Sequence, residues 1–259
     1  MNIIHSFVLG VVEGVTEFLP ISSTAHLIIT SKLVGISQTE FIKFFEVFIQ
    51  SGAILSVVIM YFKFLLNHKE LVIKIFVSFI PTAVIGFILQ KLIKNVFFES
   101  YYLIIGSMSL IGVAFLVFEF LVKKEKISLK KSIKDLSYKE AFFTGLGQSL
   151  AVVPGVSRAG IVMLTMMGQG YKRSEAAMYS FMLAIPTIFA ASLFDLIKFD
   201  LKQLSDNSNL LFLIVGFITS FIFAYISISW LIDFLKKNSL IIFGVYRIIL
   251  AITLLLFLR

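Results

Sequence analysis

The sequence has no cysteine, a single tryptophan, three histidines and few charged residues, which make up only 15% of its 259 positions. The missing cysteine excludes disulfides, thiolate nucleophiles and cysteine-ligated metals. The scarcity of charge, beside a hydrophobic share of 59%, excludes an ordinary soluble domain, where roughly half the residues are apolar. The 29 phenylalanines exclude a disordered polar chain. Acidic residues are outnumbered, giving a formal net charge of +8. The lysines sit in short loops between long apolar runs, so they read as orientation signals for membrane crossings rather than as a nucleic-acid surface. Met1 to Phe7 lack a basic segment and a small-residue cleavage site, so the N-terminus is expected to be mature protein and not a signal peptide.

Six apolar segments, near 40–62, 71–90, 101–122, 175–197, 209–232 and 239–258, are long enough to span about 30 Å of hydrocarbon. Two further stretches, about 3–31 and 138–168, are interrupted at their centres. The interruptions are Pro20-Ile21-Ser22-Ser23-Thr24 and Pro154-Gly155-Val156-Ser157-Arg158. Broken backbone is tolerated at membrane depth only where it is buried in protein or lines a wet cavity. Both stretches are therefore predicted to be re-entrant helical hairpins, and the fold class to be all-α integral membrane.

The order of elements repeats. Gly10-Val11-Val12-Glu13 returns as Gly145-Leu146-Gly147-Gln148, and Pro20 to Ser23 as Pro154 to Ser157 with a one-residue slip. Val77 to Thr82 resembles Val215 to Ser220 at a similar offset. Repeat one covers about 1–122 and repeat two about 138–259 within a single membrane domain, joined by a basic loop at 123–137. A hairpin followed by three spans inverts the second half relative to the first. One side would carry Lys63, Lys69, Lys74, the cluster Lys123 to Lys139, Lys172, Arg173, Lys236 and Lys237. The other would carry Lys32, Lys43, Lys91, Lys94, Lys198, Lys202 and Arg259. The richer side is expected to be cytoplasmic.

The ionisable residues inside the hairpins are the candidates for chemistry. Glu13 and Glu17 are four apart, on one helical face, where two carboxylates would hold a cation or share a proton. Ser22 and Ser23 follow at the start of a second half-helix, where free N–H groups suit a phosphate and a serine also serves as a cap. His26 lies three residues beyond Ser23, giving a hydroxyl and an imidazole the spacing of a nucleophile and its base. His5 and His68 lack such company and read as structural. The second hairpin supplies Arg158, a permanent cation whose fork fits phosphate oxygens. Beside it stand Ser157, Gly155, which permits a close approach of backbone to ligand, and Gln148, at the place corresponding to Glu13. Thr24 is a further candidate contact. Glu46 and Gln50, four apart on the first span, are candidates for a supporting role at the cavity wall. Tyr246 and Arg247 read equally well as an interfacial anchor or as a plug for the second hairpin.

Glu13-Gly14-Val15-Thr16-Glu17-Phe18-Leu19-Pro20-Ile21-Ser22-Ser23-Thr24-Ala25-His26 closely resembles the signature of the undecaprenyl-diphosphate phosphatase family, also called the bacitracin-resistance family. Phe45 to Leu55 is similar to its next block, Pro154 to Arg158 to its second signature, and Phe243 to Arg247 to a shorter C-terminal motif. The resemblance implies a multi-pass hydrolase of the bacterial plasma (inner) membrane that removes one phosphate from the C55 polyprenyl diphosphate. The lipid carrier is thereby recycled for peptidoglycan synthesis, and resistance to bacitracin follows. The resemblance also implies dependence on a divalent cation, Mg or Ca, held by Glu13 and Glu17, with Ser23, His26, Glu17 and Arg158 catalytic. One departure stands out: Ala159 and Val162 occupy positions where the family usually carries hydroxyls.

The expected mechanism is attack by Ser23 on the terminal phosphorus with His26 as base, with His26 itself or water as alternative nucleophiles. The expected partners are the polyprenyl diphosphate and the bilayer, with no nucleic acid; a homodimer is an open option. The active site is expected to open to the extracytoplasmic side. The rival reading is a transporter or flippase of polyprenyl phosphate, because inverted repeats and broken helices are also hallmarks of transporters.

Overall fold

The computed structural model describes residues 1–92, 100–200, 203 and 207–257. Lys94, Lys202 and Arg259 lie outside the described residues, as does the side chain of Lys91. The described chain is helical throughout, with no β-strand beyond the single bridge of Lys131 to Tyr171. Five helices are long and apolar enough to cross a bilayer: α3 (Glu40–Asn67), α4 (Lys69–Leu92), α5 (Tyr101–Lys123), α8 (Arg173–Lys198) and α9 (Asn207–Lys237). They coincide with five of the expected spans and run past them into polar residues. Thr39 and Ser100 cap the extended starts of α3 and α5, because free N–H groups need an acceptor at a helix end. The segment expected to span at 239–258 is helical as α10 (Ile241–Phe257).

Each interrupted stretch folds as two short helices. The first comprises α1 (Ile3–Thr16) and α2 (Ser23–Leu33); the second comprises α6 (Tyr138–Ser149) and α7 (Arg158–Gly168). At 1.5 Å per residue, 14 and 11 residues reach roughly 21 and 17 Å, short of a bilayer core of about 30 Å. The short helices are held by close packing against the long ones. α1 lies on α9, where a Cβ at Gly14 would come within 2.5 Å of the Ser220 carbonyl oxygen and one at Gly10 within 2.8 Å of that of Gly216. α6 lies in the same way on α4, with Gly145 against the backbone of Ser78. Small residues let helix backbones approach where water supplies no hydrophobic force between them. α5 pairs with α10, and α3 with α8 and α9.

The basic loop is tied down rather than loose. Glu140, outside the spanning helices, accepts from Lys131 Nζ at 2.7 Å, from the Tyr171 hydroxyl at 3.0 Å and from Ser137. Glu175 accepts from Ser132 and from the Ile133 amide. The buried Glu119 pairs with Arg173 and takes the Leu240 amide at 2.8 Å, joining α5, α8 and the start of α10.

Two outcomes follow from this packing. Gly14→Val forces α1 off the Ser220 carbonyl and should destabilise the protein by about 1–3 kcal/mol, read as a lower melting temperature in detergent. The second concerns pH. Burial raises the Glu140 carboxyl, but the bonds from Lys131, Ser137 and Tyr171 outweigh it and hold the group down at about 2 against an ordinary 4.5. A depressed carboxyl stabilises above its unfolded value and loses that contribution as pH falls through the folded one. The hydrogen-exchange protection factors of the basic loop, corrected for the intrinsic slowing of exchange in acid, should therefore fall as pH falls from 4.5 towards 2, and Glu140→Gln should abolish that step.

Candidate functional site

The residue before the second helix of each interruption adopts the same left-handed backbone conformation. Ser22, before α2, has φ 75° and ψ 93°; Ser157, before α7, has φ 70° and ψ 113°. A non-glycine residue held there stores about 1–3 kcal/mol of strain, tolerated where surrounding contacts over-determine it. Ser157 accepts the Gly160 amide as a cap at 3.2 Å. Ser22 makes no such cap. Gly155 has φ 93°, and a Cβ there would collide with Ser107 Oγ and the Ile104 carbonyl, so no other residue fits. One offset in sequence relates Ser22 to Ser157, Gly10 to Gly145 and Glu13 to Gln148, while matching Pro20 with Pro154 needs the one-residue slip. Ser23 and Arg158 each open their helix.

These two residues meet through Glu17. Ser23 Oγ donates to Glu17 Oε2 at 2.5 Å, and Arg158 donates through Nη2 to Glu17 Oε1 at 2.9 Å and through Nη1 to the Ser180 carbonyl at 3.0 Å. The Glu17 and Arg158 side chains are 7% and 11% exposed, so each charge depends on the other. One turn earlier on α1, Glu13 is fully buried beside Glu17, and neither of its oxygens has a hydrogen-bond donor. A cavity of about 220 Å³ opens over the group. It has room for several waters and is lined by both polar and apolar side chains.

Of the residues singled out from the sequence, Glu17, Ser22, Ser23, Thr24, Gln50, Gln148, Gly155, Ser157 and Arg158 line this cavity. Glu46 does not: it accepts from Ser31 and Gln38. The pairing of Ser23 with His26 expected from their spacing is not formed. The His26 ring turns back one helical turn, Nδ1 to the Ser22 carbonyl at 2.7 Å and Nε2 to the Tyr246 hydroxyl at 2.7 Å. Because only Nδ1–H can serve the carbonyl, Nε2 of a neutral ring accepts from tyrosine. Ala159 and Val162 are fully buried in the core and line no part of the cavity, so their missing hydroxyls leave its wall unchanged.

Sequence reasoning missed Thr82 and Thr187, which line the cavity and take the two Gln148 Nε2 bonds at 2.9 and 3.3 Å. A signal was present, since each lies in an Ile-Pro-Thr triplet, 80–82 and 185–187. Proline inside a helix releases a carbonyl, and a threonine beside it points to a polar lining. Gln148 Oε1 remains without a donor.

Fold and site together define an all-helical, multi-pass membrane protein with a pocket lined by Arg158, Glu17 and Ser23 between two broken helices. Residues 6–253 match the family described as bacitracin resistance protein BacA, and the chain belongs to that family. It is 45% identical over 248 residues to an undecaprenyl-diphosphatase of Aquifex aeolicus, covering 96% of this chain and 95% of the relative. It is 43% identical to those of Persephonella marina and Wolinella succinogenes, with coverage of 99% or more on both sides.

Breaking the ion pair separates its structural from its chemical role. Arg158→Met leaves Glu17 buried and unpaired and should destabilise by about 3–5 kcal/mol. Adding Glu17→Leu should restore most of that stability in thermal unfolding while activity stays absent. Recovery of activity in the double variant would remove the pair from the chemistry.

Proposed function

We propose that this protein hydrolyses undecaprenyl diphosphate to undecaprenyl phosphate and inorganic phosphate in the bacterial plasma membrane, recycling the carrier for cell-wall synthesis and conferring resistance to bacitracin. The observation that carries this reading is a serine hydroxyl bonded to a buried carboxylate that is itself bonded to an arginine, all at one cavity. The family relationship and the names of the relatives point to the same substrate.

The head group sits between the N-termini of α2 and α7, whose free N–H groups favour anions. Arg158 neutralises charge on the equatorial phosphate oxygens during transfer. Ser23 Oγ bonds to the terminal phosphorus as the P–O bond to the prenyl phosphate breaks, and the serine proton passes to Glu17 Oε2, already its acceptor. Water then displaces the serine from phosphorus, Glu17 returns its proton to Ser23 Oγ as that P–O bond breaks, and inorganic phosphate leaves with the protons of the water. His26 stands apart from that proton and holds the first turn through the Ser22 carbonyl. A divalent cation, Mg or Ca, fits the site: buried carboxylate oxygens of Glu13 without a donor call for a proton or a metal. Glu13 and Glu17 would hold the ion, which when bound supplies further charge neutralisation.

The topology proposed is six spans, with α10 as the sixth, and two re-entrant hairpins in an inverted repeat. Its support is reciprocal packing: α1 of the first half docks on α9 of the second, and α6 of the second on α4 of the first. Gln50, Thr187 and Ala191 line the cavity, and with the basic loop taken as cytoplasmic they fall in the outer half of α3 and α8, which supports an opening to the extracytoplasmic side. The same repeat suits a carrier of polyprenyl phosphate, and one assay separates the two readings.

Purified protein should release phosphate from C55 diphosphate, and EDTA should suppress the release. Ser23→Ala and Glu17→Gln should each lower turnover by about 10²-fold or more, Arg158→Ala by about 10²–10³-fold, and His26→Asn by less. Folded wild-type protein that releases no phosphate would remove the hydrolase reading in favour of transport. Full turnover in Ser23→Ala would remove the serine.

A further inference from the structure

Arg247 has the largest fully buried side chain described, and no carboxylate pairs with it. Its guanidinium instead donates to four backbone carbonyls: Nε to Met108 at 3.2 Å, Nη1 to Pro20 at 3.1 Å, and Nη2 to Gly155 at 2.5 Å and Val156 at 3.2 Å. Pro20 belongs to the first broken turn, Gly155 and Val156 to the second. Pro20 and Gly155 are separated by the same offset as Ser22 and Ser157, so one guanidinium grips the equivalent carbonyl of both turns. The Pro20 and Gly155 carbonyls each lie three residues before the group their turn presents, Ser23 in one case and Arg158 in the other.

The surroundings are shaped for this reach. A Cβ at Gly112 would meet the Gly244 carbonyl oxygen at 3.0 Å, and one at Gly244 would meet that of Gly112 at 2.9 Å, so α5 and α10 touch backbone to backbone. The guanidinium lies 5.9 Å from the Phe115 ring. A planar fork with several donors can serve both turns at once. A well-packed apolar residue would avoid desolvating a charge. A charge kept there, on the turns that hold two strained serines, has a task that packing alone does not explain.

We propose that Arg247 is a positioning residue that fixes the distance between Ser23 and Arg158 by clamping the two turns together; this rests on the hydrolase reading above. Ser107 is a lesser strut of the same kind, donating to the Pro154 carbonyl at 2.6 Å.

The test compares Arg247→Lys, Arg247→Met and Ser107→Ala with wild type as full-length protein in detergent. Phosphate release from C55 diphosphate is normalised to folded protein by thermal unfolding. Misplacing reacting groups by about 1 Å lowers turnover by about 10²-fold. Arg247→Met should show a loss of that size in kcat per folded molecule, larger than any rise in KM, and Arg247→Lys should recover part of it. If neither Arg247 variant folds, Ser107→Ala, which buries no charge, should fold with a lowered melting temperature, because the Pro154 carbonyl loses its donor, and should still lower kcat per folded molecule several-fold. Wild-type kcat per folded molecule in the folded Arg247 variants, or in Ser107→Ala where they do not fold, overturns the clamp. Wild-type protein without phosphate release would instead remove the hydrolase reading, and the clamp with it.

Discussion

A helix interrupted inside an apolar slab exposes N–H and C=O groups that lipid cannot satisfy, and each left unpaired is worth several kcal/mol. Much of the described structure answers that constraint. The carbonyls of the first turn go to Arg247 and His26, and those of the second to Arg247 and Ser107. The amides at the start of α7 are partly met by Ser157. At the cavity, where the helix N-termini of α2 and α7 and Gln148 meet, Gln148 Oε1 is left without a donor, and Glu13 is left so one turn behind Glu17. A polar ligand completes what the backbone leaves open.

The clamped turns need rigid neighbours, and glycine supplies them by letting long helices come close. Gly10 and Gly14 on α1, Gly145 on α6 and the Gly112–Gly244 pair all face backbone atoms. A side chain at any of these places would push a short helix outward and move the turn at its end. Stability of the helix contacts and geometry of the site are therefore not separable: α1 carries Glu13 and Glu17 on the same few turns that pack against α9.

The fold was legible because membrane spans need long apolar runs and broken hairpins need conspicuous polar centres. Five expected spans and all four hairpin arms lie where apolar length and interruption placed them. The site was legible where a charge stood out against an apolar background, as with Glu17 and Arg158. It was less so where direction mattered. Helical spacing puts Ser23 and His26 on neighbouring faces, but it cannot say that the imidazole turns back to the Ser22 carbonyl and the hydroxyl turns to Glu17. Arg247 read as either anchor or plug, since its carbonyl partners come from three distant segments and carry no side-chain signature. Thr82 and Thr187 were hidden because a threonine in a span is unremarkable until the neighbouring proline is weighed.

The divergence between the halves explains how such a scaffold can carry out chemistry. Equivalent positions near a two-fold axis face each other, and identical ionised side chains there would repel across a medium that screens little. Here the counterpart of Glu13 is Gln148, that of Glu17 is Val152 and that of Ser23 is Arg158, while Arg247 faces Phe115. The first stretch supplies carboxylates and a hydroxyl; the second supplies a cation and an amide. Opposite charges can then approach to 2.9 Å in a largely buried setting, where an ion pair is strongest. The two interruptions bring two helix N-termini to one place, and the unlike side chains around them make that place asymmetric.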